Sequence, residues 1–178
     1  ICSDFRCYSK STKTGLERAS ISQMPQATVA HSALRRGFVL RDRRHQFQLR
    51  ARRRSIRGKA GWVIEDVRGN QVGTVRRTRN PFRDGVAIDV GTSRYVVHRN
   101  GPTRRGGFIV KAGNRQELVV DRRPLRRTWD VYRFDRSIAS VHRHRSLGRS
   151  QYGATVESTR HYQLVFGIVV AIDCLTRK

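Results

Sequence analysis

The sequence is short of negative charge, of paired cysteines and of long hydrophobic runs, and each shortage excludes something. Against 38 Lys+Arg stand 13 Asp+Glu, for a formal net charge of +25 at pH 7 and an isoelectric point near 11.7. Self-repulsion at such a charge opposes a compact state, so an anionic partner is expected. Nucleic acid, anionic lipid and an acidic protein all qualify, and an Arg-biased composition alone does not choose among them. The few acidic residues do not cluster. Glu65, Asp66, Asp89 and Glu157 fall at strand ends or turns beside arginines, where ion pairing is their ordinary role. No nucleophile elbow, phosphate-binding loop, dinucleotide fingerprint or HExxH pair is present. Neither a catalytic residue nor a cofactor is therefore expected.

Cysteines number three, Cys2, Cys7 and Cys174. No CxxC pair or Cys/His group at zinc spacing occurs, so neither a disulfide framework nor a metal site is supported, and a reducing compartment, the cytoplasm, is expected. His142 and His144 share one face of a strand, but beside Arg143 and Arg145 they read as a solvated basic strand. The most apolar stretch, Leu164 to Ile172, is nine residues, far short of the ~20 that span a bilayer. No signal-type apolar segment lies near the start. The chain reads as soluble, at most peripheral to a membrane.

Residues 1–34 are rich in Ser, Thr, Ala and Gln, hold four Lys/Arg, and contain the single methionine, Met24. They read as a weakly structured tail, and Met24 is a candidate natural start. The domain proper is taken as 35–178.

From Gly37 onward, short alternating strands are separated by turn signals. Phe38 and Leu40, then Phe47, Leu49 and Ala51, alternate around a turn at Asp42 to His45. Trp62 to Asp66 and Gln71 to Arg76 flank Arg68-Gly69-Asn70, where Gly and Asn supply the φ > 0 positions a tight hairpin needs. Val86 to Val90, Tyr95 to His98, Phe108 to Lys111 and Leu118 to Asp121 follow. Trp129 to Phe134 and Ser137 to His142 form another hairpin around Asp135-Arg136, and Tyr152 to Val156 is a further strand. Strands this short, at roughly ten-residue spacing, indicate an all-β sandwich or barrel.

A repeat runs through the strands. RRRSIRGKAGWVIED (Arg52 to Asp66) parallels RHRSLGRSQYGATVE (Arg143 to Glu157), and VRRTRNPFRDGVAIDV (Val75 to Val90) is a looser copy. Each has a basic strand end, a Gly-containing basic linker, an aromatic and a short strand, as expected of a repeated hairpin. The closing segment, HYQLVFGIVVAIDCLTRK, fits a helix that is apolar all round or a strand buried on both faces. As a helix it has Ser158 or Thr159 as N-cap, with Arg177 and Lys178 at its C-terminal end. Among all-β arrangements, a closed barrel would surround such a helix completely.

These hairpins, of the form strand-(D/E)-x-x-G-x-x-V-x-x-V-x-R, resemble the LURP-one-related family, whose wider group holds phospholipid scramblases and the tubby C-terminal domain. The residues that carry the resemblance are Ile64 to Arg76, Ile138 to Arg143, Tyr152 to Val156 and the closing Leu164 to Asp173. The resemblance implies a closed antiparallel β-barrel of about twelve short strands around a buried hydrophobic C-terminal helix. It also implies a non-enzymatic binding or scaffold protein. The Gly/Arg-rich stretch 101–128 departs from the pattern, and no scramblase-like calcium loop is recognised.

Three basic clusters are the candidate binding residues for an anionic membrane surface or phosphoinositide. The first is Arg52, Arg53, Arg54, Arg57 and Lys59. The second is Arg122, Arg123, Arg126 and Arg127, and the third Arg143, Arg145 and Arg149. The repeat implies that the first and third occupy equivalent corners. The competing class is a nucleic-acid-binding or ribosome-associated protein, with Trp62, Tyr95, Trp129, Tyr132 or Tyr152 stacking on bases. Those aromatics sit at strand positions where core packing is the ordinary role.

Overall fold

The alternation in the sequence becomes a ladder of antiparallel strands. The computed structural model describes residues 26–32, 37–42, 44, 46–56, 58–78, 84–100, 106–123, 128–146 and 149–176. The strands are β1 (Gln26–Ser32), β2 (Gly37–Asp42), β3 (Phe47–Ile56), β4 (Lys59–Asp66), β5 (Gln71–Arg77) and β6 (Gly85–Val90), followed by β7 (Ser93–Arg99), β8 (Phe108–Ala112), β9 (Arg115–Arg123), β10 (Thr128–Arg133), β11 (Arg136–Ser146) and β12 (Arg149–Val156). Each pairs with its neighbours in the chain. β1 pairs with β2 on one side and with β12 on the other, Val29 lying opposite both Leu40 and Tyr152. The strand order is thus that of a closed barrel.

β1 lies inside the stretch 1–34 that composition marks as a tail, so the sheet begins earlier than the boundary drawn from sequence. Strand β1 carries one Val, too little apolar alternation to stand out from a Ser/Thr/Ala-rich background. Residues 1–25, Met24 included, lie outside the described residues.

The apolar segment is a helix, α1 (Tyr162–Thr176), with Leu164 to Asp173 and Leu175 buried. Sequence periodicity left helix and strand equally open; burial decides. A segment inside the ring has no strand edge to pair with, so its backbone donors and acceptors must be satisfied internally, as only a helix can do. That requirement overrides the modest helix propensity of Ile168-Val169-Val170. Helix and sheet approach closely at Gly167, where an added Cβ would lie 2.7 Å from Ile88 Cγ2. The inward side chains Ile64, Val75, Val86, Ile88 and Val97, all 0 % exposed, complete the core.

The helix begins differently from the expectation. A 3₁₀ turn, Thr159–His161, precedes it, and Ser158 stands at the cap of that turn without a side-chain cap bond. Arg177 and Lys178, expected to serve the C-terminal end, lie outside the described residues. His161 is 8 % exposed and its Nδ1 is buried without a hydrogen-bond partner. Burial first, then the charges of Arg160, Arg133 and Arg136, lower its pKa below 6.5.

The turns also sharpen the reading. At β4–β5, Gly69 takes φ 85°, but Asn70 does not take the second positive φ. Instead Asp66 Oδ1 accepts from the Arg68 and Asn70 amides at 2.9 and 2.8 Å, and the Asn70 side-chain amide helps hold the Asp66 carboxyl below its ordinary pKa. At β10–β11 the positive φ falls on Phe134, at 52°, a position the sequence does not flag because it is neither Gly nor Asn.

Val169→Asp should abolish cooperative folding, because it places an unpaired charge among fully buried side chains; loss of the thermal unfolding transition is the readout. His161 sets a pH dependence. Its folded pKa is lowered, so its stabilising contribution is complete above the unfolded value of about 6.5 and is lost as pH falls toward the folded one. The melting temperature should fall as the solution is acidified below about 6.5, and His161→Phe should flatten that part of the profile.

Candidate anion-binding rim

Strands β3, β5, β7, β9 and β11 all run toward one end of the barrel, and the strands after them return from it. Helix α1 starts after β12 at the opposite end, so its C-terminus emerges among the ends of those five strands. The register then places a cation opposite a large apolar residue, facing inward, in one hairpin after another. Arg53 pairs with Trp62, Arg77 with Val86, Arg99 with Phe108, Arg122 with Trp129 and Arg143 with Tyr152. In β1–β2 the backbone register pairs position 31 with Phe38. A layer of arginines therefore surrounds the end of the helix.

A helix C-terminus leaves its last carbonyls unpaired and carries partial negative charge. Two arginines meet that need. Arg77 Nη2 donates to the Cys174 carbonyl at 2.8 Å, and Arg99 Nη2 donates to the Leu175 carbonyl. Thr176 Oγ1 donates back to the Ile172 carbonyl at 2.8 Å. The Arg143 guanidinium lies 5.8 Å from the centre of the Tyr152 ring, and the Tyr152 hydroxyl donates to buried Asp173 at 2.9 Å. Trp62 Nε1 points to Cys174 Sγ at 3.2 Å.

Outward-facing arginines are partly spent. Glu65, 4 % exposed, lies 2.6 Å from Arg50, 3.3 Å from Arg54 and 3.9 Å from Arg52. Arg123 pairs with buried Asp130 at 2.5 Å. Asp89 lies between Arg76 at 3.8 Å and Arg94 at 3.5 Å, and Glu157 pairs with Arg136. Ion pairing of Glu65, Asp89 and Glu157, the role read from sequence, is what the geometry has; Asp66 instead organises its turn.

All three predicted clusters come to this one rim. Arg52, Arg53 and Arg54 are exposed near the end of β3, and exposed Lys59 opens β4. Arg122 and Arg123 close β9, with the Arg122 Nε buried and making no hydrogen bond among the described residues. Arg143 is half-buried. Arg145 and Arg149 occupy the last pairs of β11 and β12, opposite Ser150 and Ser146. Arg57, Arg126 and Arg127 lie outside the described residues. Arg77 and Arg99, which sequence reasoning missed, sit two residues beyond buried Val75 and Val97. Continuing the alternation past each valine into the basic strand end would have found them.

The two corners of the repeat are equivalent, but offset by one residue. Text alignment sets Arg52 against Arg143. The register makes Arg53 the counterpart, because it is Arg53 that faces the aromatic. The aromatics weighed as stacking groups divide: Trp129 and Tyr152 are buried, at 4 % and 0 % exposure, while Trp62, Tyr95 and Tyr132 are half-buried. The large apolar side chains that are exposed, Val67 and Phe134, stand on turns at the other end. Among the described residues no group of three His, Cys, Asp or Glu is arranged to hold a metal. No helix there is long and apolar enough to cross a membrane.

A family profile described as LURP-one-related matches residues 28–173. No curated protein matches. Among solved structures, a protein of Arabidopsis thaliana determined by X-ray crystallography is similar in fold, with a TM-score of 0.61 and 22 % identity. The match covers 86 % of this chain and 93 % of that one.

Glu65→Gln should leave Arg50, Arg52 and Arg54 adjacent without a counter-charge. Stability should drop by about 1–2 kcal/mol, a value discounted for the partial exposure of the arginines. The variant should recover with added salt, because screening relieves the repulsion, and chemical denaturation at low and high salt reads both effects.

Proposed function

The chain belongs to the LURP-one-related family, and from that premise we propose that it is a non-enzymatic binding protein whose arginine rim engages anionic phospholipid head groups, phosphoinositide among them, at a membrane surface. The observation that carries the reading is the convergence of the three basic clusters on one end of the barrel. A planar anionic surface can meet that end as a whole, and each Lys or Arg brought near it contributes about 1 kcal/mol. The lipid binding known for the tubby domain, in the wider group that the sequence resembles, supports the same direction. A membrane-peripheral place in the cytoplasm follows from this reading. Nucleic acid is the weaker alternative, since burial of Trp129 and Tyr152 removes two of the five aromatics weighed for stacking.

Sedimentation with vesicles tests the proposal. Phosphatidylcholine vesicles containing a few per cent phosphoinositide should pull the protein down at ~0.15 M salt, and phosphatidylcholine alone should not. The double variant Arg54→Glu/Lys59→Glu, shown by its melting curve to be folded, should lose binding. Salt-steep, sequence-blind binding to single-stranded nucleic acid without lipid preference would overturn the reading. So would loss of vesicle binding in Phe134→Glu with Arg54→Glu/Lys59→Glu unaffected, which moves the contact to the opposite end.

A further inference from the structure

Beside the last turn of α1 the inner wall of the barrel leaves a cleft of about 330 Å³, at the small end of sites that hold organic ligands. Its walls are Trp62, Val75 and Val86, its floor Asp173 and Cys174, and Arg53, Arg76 and Arg77 stand round it. We propose that this cleft binds a small organic phosphate ester, with the phosphate on the inward-facing Arg53 and Arg77 and the apolar body against Trp62. The proposal deepens the reading of the rim as an anion-binding end and rests on it in that respect.

The distribution of charge sets the orientation. The floor is the negative end of the helix, with the Cys174 carbonyl already accepting from Arg77 and the Asp173 carboxylate accepting from Tyr152. An anion at that depth would be repelled, so the charged group belongs at the mouth. There Arg53 makes no hydrogen bond or ion pair among the described residues, whereas its neighbours Arg52 and Arg54 share Glu65. Arg77, on the same inward face, spends Nη2 on the Cys174 carbonyl and keeps further guanidinium donors for a ligand.

The walls suit an apolar body. The Trp62 ring is fixed on one side by edge contact with Phe38, centroids 5.1 Å apart at 69°, and at its nitrogen by Cys174. It is half-buried, so it presents a rigid surface that costs little ordering on binding. Phosphate matches the cations better than carboxylate. Guanidiniums on two separate strands, β3 and β5, can each take oxygens of a phosphate, whereas a carboxylate is satisfied by one fork. The ester can be a soluble metabolite or the head of a phosphate-monoester lipid, and both present the same group.

Calorimetric titration with phenyl phosphate tests the cleft. Saturable binding is expected, weakened about tenfold or more in Arg53→Ala, as removal of a charge-assisted contact implies. Ala60→Trp, which fills the cleft from an exposed position, should block binding in a protein that still melts cooperatively. Absence of saturable binding, or binding indifferent to both variants, overturns the proposal. Vesicles of phosphatidylcholine with phosphatidic acid identify the source. Sedimentation that depends on Arg53 and on an open cleft supports a lipid-borne ester, and phenyl phosphate binding without such sedimentation supports a soluble one. If phosphoinositide vesicles bind while phenyl phosphate does not, the cleft fails and the membrane reading stands. The converse removes the membrane reading and leaves the cleft.

Discussion

The structure depends on the need to surround one helix. Leu164 to Asp173 are buried without interruption, so no single sheet face or helix face could cover α1; something must enclose it. Antiparallel hairpins are the cheapest enclosure, because each adds two strands to the wall by a short local connection and buries one alternating face inward. The alternation of every strand, the small Gly167 against Ile88 and the placement of Ile64, Val75 and Val97 in the core all follow from that demand. Enclosure has a second consequence. The helix C-terminus emerges among the strand ends, with Thr176 exposed, and the wall there supplies donors to its last carbonyls. Arg77 and Arg99 are those donors. The arginine layer is thus in part a product of folding, and only its surplus is available for binding.

How much of this was legible follows from what each signal encodes. Alternation with Gly and Asn turns encodes hairpins, so the β4–β5 and β10–β11 pairs and the basic strand ends were readable. The helix was ambiguous for a physical reason: a segment buried on all sides has no amphipathic period, and only the absence of a pairing edge decides its conformation. β1 was lost because its single described core residue, Val29, gives no alternation against a small-residue background. Turn geometry was half readable. Gly69 takes its positive φ as expected, but Phe134 takes one with no sequence sign at all.

The candidate site was legible by region and not by residue. Clusters of Arg mark strand ends, and the topology brings those ends together. Which arginines face inward depends on register, and register depends on turn length. The β3–β4 and β11–β12 turns are equally long, Ile56 pairing with Lys59 and Ser146 with Arg149, so the arginine that faces the aromatic is the one three residues before each turn, Arg53 and Arg143; the similar text is displaced by one residue relative to those turns. In a strand, one residue exchanges inside for outside. Text similarity therefore aligned Arg52 with Arg143 when the facing geometry makes Arg53 its equivalent.

That exchange divides the arginines by role. Those facing outward, Arg50, Arg52 and Arg54, surround Glu65, and Arg123 faces Asp130, so part of their charge is neutralised within the fold. Those facing inward meet helix carbonyls or aromatic rings. Two donors suffice for the helix end, and Arg143 lies over Tyr152. Arg53, and Arg122 with its buried Nε unbonded among the described residues, exceed what the helix requires. Cations held at a low-dielectric mouth without a counter-charge raise the self-energy of the fold, a cost that an anion entering from outside would relieve. The place to look for a ligand is therefore the inner edge of the rim, where among the described residues guanidiniums outnumber the partners that the protein supplies, rather than wherever arginine is densest in the sequence.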